Sequence, residues 1–251
     1  MTTSGTAGFN LDLNNIVEEA FERCGKELRS GYDLRTARRS LNLLTVEWAN
    51  RGVNLWTIEQ GSIALNENQA IYDLPVDTID LLEHVTRTGT GQNQQDLAIT
   101  RISVSTYATI PNKNATGRPI QVWVDRQSGA TYPSGGRPQG TDPTNGIDYP
   151  KIYVWPAPDQ SNYYTFVYWR LRRIQDAGAG IEIGDMNFRF LPCVVAGLAY
   201  YIAMKVPELQ GRLDMLKAAY DEQFNLAAGE DREKAAVRFV PRQQFIGGST
   251  P

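Results

Sequence analysis

The chain has 251 residues, 41% hydrophobic and 21% charged, which describes a folded globular protein and excludes a disordered one. Its 28 acids against 25 Lys and Arg leave a net charge of −3, without the clustered basic excess of a general nucleic-acid binder. Cys24 and Cys193 lie far apart in apolar surroundings, so buried thiols are expected, and a chain of this size has no need of a disulfide scaffold.

The opening "MTTSGTAGFN" has neither a basic start nor an apolar run, and no secretory signal is expected. The first helix is predicted over 13–24, where Ile16, Ala20, Phe21 and Cys24 recur at helical spacing and Gly25 supplies the stop. Glu18, Glu19 and Glu22 lie off that stripe and give the helix an acidic face. A second helix is predicted over 33–50, with Asp33 as N-cap and Gly52 as the left-handed residue beyond its end. Its seam of Leu34, Ala37, Leu41, Leu44 and Trp48 is spaced for packing on other helices.

From Leu55 the period changes to that of strands. "LWTIEQGSIAL" and "AIYDLP" are separated by the polar turn "NENQ", and His84 falls on a further strand in "LLEHVTR". A brief helix is predicted over 103–108, followed by strands at 119–125, 151–156 and 163–172. In the second of these, Ile152 and Val154 face one way and Tyr153 and Trp155 the other, with Pro156 and Pro158 closing the strand and "APDQSN" read as a hairpin loop. The stretch 126–150 is dominated by Gly, Pro, Ser, Thr and Asp and keeps no period; a loop this long is either a contact surface or a solvated excursion.

Helical pattern resumes after Gly184 and Asp185. "FRFLPCVVAGLAYYIAMKV" carries Ala196, Gly197, Ala199 and Ala203, small residues that allow close helix approach, and it is too short and proline-interrupted for a membrane span. A last helix is predicted over 208–234, with Leu209, Leu213, Leu216, Tyr220, Phe224 and Ala227 as its seam. Apolar seams cannot be left in water. The chain therefore reads as α+β: a helical bundle formed by both chain ends (1–54 and 185–235), an inserted antiparallel β domain (55–184) and an extended C-terminal tail (236–251). The tail mixes Phe239, Val240, Pro241, Phe245 and Ile246 with Arg238 and Arg242, which fits either docking onto a partner or a strap on its own domain.

Catalytic signals are sparse. One histidine and two distant cysteines offer no zinc spacing. No Gly-x-Ser-x-Gly elbow occurs, and "GTGQNQ" and "GAGIEIG" match neither phosphate-binding nor dinucleotide-binding offsets. Carboxylate pairs remain, since glycoside hydrolysis needs only two acids about 5 to 9.5 Å apart, and a cell-wall hydrolase stays open as an alternative. Arg35, Arg38 and Arg39 on the second helix, with Arg170, Arg172 and Arg173 at a strand end, keep a DNA-binding reading open as well. The residues call for no cofactor, no metal and no membrane.

The order of these elements resembles the head-to-tail adaptor proteins of short-tailed bacteriophages, the tail tubular protein A group in particular. The likeness rests on "WANRG" (48–52) ending the second helix, on "WPAPD" (155–159) before an aromatic strand ending in Arg, and on "LAYYIAMKV" leading into the last helix. It implies a non-enzymatic virion protein at the head-to-tail interface, assembled in the host cytoplasm as a ring of about twelve copies. It further implies docking under the portal protein, extension of the DNA channel without specific DNA binding, and seating of the tail nozzle, with tail-fibre contact at the β domain. By that likeness Arg238, Phe239, Val240, Pro241, Arg242, Phe245 and Ile246 are the portal-docking residues. A mildly acidic chain suits a channel that does not hold phosphates.

Overall fold

The computed structural model describes residues 3–6, 8–53, 55–127, 148–178 and 180–231. Helix α1 (Leu13–Cys24) starts at Asp12, whose carboxylate accepts the Asn15 N–H at 2.7 Å. It ends at Gly25 with φ 80°, where the N–H groups of Gly25 and Lys26 reach back to Glu22 and Phe21. Helix α2 (Gly31–Asn50) is capped by Ser30, not Asp33. The Ser30 hydroxyl accepts the Asp33 N–H and donates to the Asp33 carboxylate. Aspartate suits both the cap and the first turn, so the sequence places the start three residues late. At the far end Gly52 (φ 81°) donates to Ala49, and Val53 donates to Trp48. This closed turn brings buried Val53 against buried Trp48 and ends the helix.

Two further long helices follow the β segment. Helix α4 (Leu191–Ala203) is buried almost all round and forms the centre of the helical unit. Helix α2 runs antiparallel to it: Ser40 meets Lys205, Leu44 meets Gly197 and Trp48 meets Phe190. Helix α5 (Leu213–Glu230) packs on α4 beside α2, burying Leu216 and Tyr220, whose hydroxyl accepts the Trp48 indole N–H. Instead of a single helix over 208–234, a 3-10 turn at Pro207–Arg212 precedes it, started by a proline that fits only a first turn. Each large side chain fully withdrawn here contributes about 1.5–3 kcal/mol before the entropy of ordering it is subtracted.

Among the described residues, eight strands lie between the helix pairs. Strands β1 (Ile58–Ala64), β8 (Tyr164–Arg172), β3 (Thr78–Thr88) and β4 (Gln95–Ala98) make one antiparallel sheet in that order. Strands β2 (Ile71–Asp73), β7 (Lys151–Trp155), β6 (Gln121–Asp125) and β5 (Thr100–Arg101) make the second. In the second sheet the β5–β6 pair is parallel, because the chain between them crosses back through the short helix α3 (Val104–Ala108). Val122, Val124, Ile152 and Val154 from one sheet meet Leu81, Tyr164, Phe166 and Tyr168 from the other, which gives a sandwich core.

"APDQSN" is not a hairpin: β7 and β8 belong to different sheets, and this loop carries the chain across. Pro156 and Pro158 have no N–H to extend a ladder, so the strand leaves its sheet there. The β1–β2 connection crosses beside it, with Asn68 donating to the Pro158 carbonyl and Asn162 to that of Leu65. The fold is α+β, with a core of helices from both ends of the chain.

Candidate functional site

Two places in the fold concentrate polar chemistry or open surface: the joint between the helical and β units, and the outward faces of α1 and α2.

Three arginines close β8 and its exit. The Arg170 guanidinium binds Glu59 at 2.9 Å and also pairs with Asp77. Arg172 binds the same Glu59 at 2.6 Å and, on its other side, Asp185. Arg173 pairs with Asp176 at 2.9 Å. Arg170 and Arg172 keep only 11% of their side-chain exposure, too little to meet a phosphate. These bases are committed within the chain.

Asp185 is the hub of the joint. Its carboxylate takes Arg172 and the Gln175 N–H, while its carbonyl takes the Trp56 indole at 3.0 Å. Arg172 holds the carboxyl below the usual carboxylate range. Leu55 is tied to Asp231 at the end of α5. The return crossing also lies along the helices: Ala177 donates to Asn42, and Leu13 and Asn14 donate to the carbonyls of Glu182 and Gly180.

The displaced acids among the described residues, Asp33, Asp96 and Asp185, are all shifted downward by hydrogen-bonding partners. A general acid for glycoside cleavage needs the opposite shift. His84 is partly buried on β3, its ring stacked on Phe166, its Nδ1 without a hydrogen-bond partner among the described residues, and its pKa lowered chiefly by burial. Cys24 and Cys193 are buried free thiols pushed up to about 11 and about 12 by desolvation, the reverse of a nucleophilic cysteine. Among the described residues no three His, Cys, Asp or Glu side chains gather as a metal site, and no helix is long and apolar enough to cross a membrane.

The outward surfaces are less self-contained. A hollow of about 790 Å³ lies between α1 and the start of α4, floored by Leu191, Pro192 and Val195, with Glu18 and Glu22 at its edge. A second, of about 320 Å³, lies between α2 and β3, lined by Val46, Ala49, Ile79 and Ile174. On the outer face of the second sheet, the rings of Trp123 and Tyr153 meet at 4.5 Å, and Tyr107 of α3 closes over both, stacking on Trp123. These aromatics fasten α3 to the sheet.

A protein-family model described as SU10 adaptor protein matches residues 15–242, spanning both units. The chain belongs to the SU10 adaptor protein family. It is a phage structural adaptor and accordingly virion-associated. No curated protein matches it.

The seven docking residues expected in the adaptor's tail, Arg238 to Arg242 with Phe245 and Ile246, lie outside the described residues, as does 128–147 of the long loop. Arg35 and Arg39 stand on the exposed side of α2. The role of Asp185 was missed in sequence. Its only signal there is a run of arginines, "RLRR", that needs as many carboxylates once folded.

Proposed function

We propose that this adaptor forms a ring of about twelve copies that closes head to tail, docks beneath the portal protein, extends the DNA channel and seats the tail nozzle. The helical domain, 1–54 with 185–235, forms the body of the ring. The β domain, 55–184, faces the nozzle and any tail fibre, and the tail, 236–251, carries the portal-docking residues. The observation that carries this reading is the family match, which crosses both units and reaches Arg242 within the tail. The paired arginines of β8 add support, since a conduit that does not bind DNA specifically has no use for free phosphate-reading bases.

The test is the particle mass of the purified chain, alone and mixed with the portal ring of the same phage. The mixture is expected to gain about twelve chains per portal, and a chain lacking 237–251 is expected to stay folded and gain none. A full-length chain that ignores the portal, or a truncated one that docks as well, overturns the assignment.

A further inference from the structure

Helix α1 buries Ile16, Val17, Ala20 and Phe21 and turns Glu18 and Glu22 to the opposite side. The two acids stand four residues apart on one face and, among the described residues, make no ion pair, whereas neighbouring Glu19 is taken by Arg23. Helix α2 repeats this arrangement with the charge reversed. Its buried seam of Ala37, Leu41, Leu44 and Trp48 lies opposite Arg35 and Arg39, again four apart and, among the described residues, without a carboxylate. Like charges at this spacing repel along a helix. Each helix therefore carries an uncompensated pair that the other's charge would satisfy, and within one chain each pair lies opposite the buried seam of its own helix.

The apolar surface beside each pair is complementary too. Past Arg39 the outward stripe of α2 continues into Leu43, 53% exposed, and Val46, 44% exposed, and ends at the hollow formed with Ile79 and Ile174. Just before α1 stands Phe9, 77% exposed. An antiparallel pairing sets Glu22 against Arg35 and Glu18 against Arg39. Beyond Glu18 helix α1 ends at Leu13, and the non-helical segment before it continues along the outward stripe of α2, past Val46, so that Phe9 comes to the hollow. A parallel pairing matches the charges equally well but sets Lys26 against exposed Leu43 and carries Phe9 away from the Leu43–Val46 stripe.

We infer that α1 of one copy lies antiparallel along α2 of the next, with the acid pair on the arginine pair and Phe9 in the hollow between α2 and β3. This rests on the ring reading above and assigns its lateral contact. The two faces differ, so the contact is head to tail and propagates from copy to copy instead of closing on itself.

The test is sedimentation of the full chain over a range of concentration and salt. The wild type is expected to associate beyond the dimer and to dissociate as salt rises. The double variants E18R/E22R and R35E/R39E each weaken association at least about tenfold, and the two mixed in equal amounts associate again, since their altered faces complement each other. Thermal melts matching the wild type establish that these exposed substitutions leave the chain folded. F9A weakens association without removing its salt dependence. A wild type that stays monomeric to its solubility limit, a closed dimer, variants that associate normally, or a mixture that stays apart overturns the pairing. So does an arginine pair that retains duplex DNA while self-association is unaffected by R35E/R39E. Portal capture is read separately: its failure with lateral association intact counts against the proposed function and supports the pairing.

Discussion

Gly197 offers a case in which two opposing effects have known sizes and the structure decides between them. Replacing it by Ala within α4 removes the helix penalty of glycine, a gain of about 1 kcal/mol. The added Cβ would lie 2.9 Å from both methyls of Leu44 and from Cε2 of Tyr220. Leu44 is fully buried, and Tyr220 is held by the Trp48 indole, which donates to its hydroxyl at 3.1 Å. Neither can retreat into solvent, so overpacking of about 1–3 kcal/mol outweighs the propensity gain. Gly197→Ala is expected to destabilise by about 1 kcal/mol, lowering Tm by about 2–4 °C. Gly229, whose Cβ would meet nothing within 4 Å, serves as the control, and Gly229→Ala is expected to be neutral or slightly stabilising. A double-mutant cycle completes the assay. Leu44→Ala alone costs about 2–5 kcal/mol, and in the Gly197→Ala background it costs at least about 1 kcal/mol less, because the new methyl occupies the vacated space. Urea melts that show the two substitutions to be additive, or Gly197→Ala to be stabilising, would refute the close-approach argument.

Asp185→Asn leaves Arg172, 11% exposed, with Glu59 as its remaining carboxylate, and is expected to cost about 2–3 kcal/mol in urea melts. The folded pKa of Asp185 is depressed, so its contribution is present above the ordinary carboxylate value and is lost as pH falls through the folded one. The Asn variant is expected to show a shallower acid loss, and parallel pH profiles for the two proteins would contradict this. For His84 the depression has the opposite chemical sense: the sandwich favours neutral imidazole. Stability is complete above about pH 6.5 and falls below it as the unfolded chain takes up a proton the folded one refuses. His84→Gln is expected to flatten that fall, and an unchanged slope would place the histidine in water. At about pH 8, iodoacetamide is expected to label Cys24 and Cys193 only as fast as the helical core unfolds; rapid labelling of folded protein would show that a thiol is open.

Local rules made the helix ends and the burial phase of the strands legible. Gly25 and Gly52 stop α1 and α2 where their left-handed geometry is needed, and Ile152 and Val154 point inward while Tyr153 and Trp155 do not. The close approach implied by the small residues of α4 is present at Gly197. What the local rules could not supply was pairing between distant segments. Period-two alternation gives a strand its faces but not its sheet, so "APDQSN" reads as a hairpin although its flanking strands lie in opposite sheets. The same limit hid the joint. Arg172 finds Glu59 and Asp185, acids from far along the chain in one direction and a short way in the other, and no spacing rule links the three.

The joint follows from inserting one folded unit inside another. The chain passes between the helices and the sandwich at two places, after Val53 and after Arg172, and two covalent strands alone would act as a hinge. In the function proposed above the two units face different partners, and their surfaces then have to keep a fixed relation. Asp185 meets that need because it lies on the return crossing yet holds Trp56 on the outgoing one, while Arg172 ties it to Glu59 of β1. Three contacts thus bind both crossings to the edge of one sheet. The carboxylate's lowered pKa comes from the same Arg172 pairing that stiffens the joint.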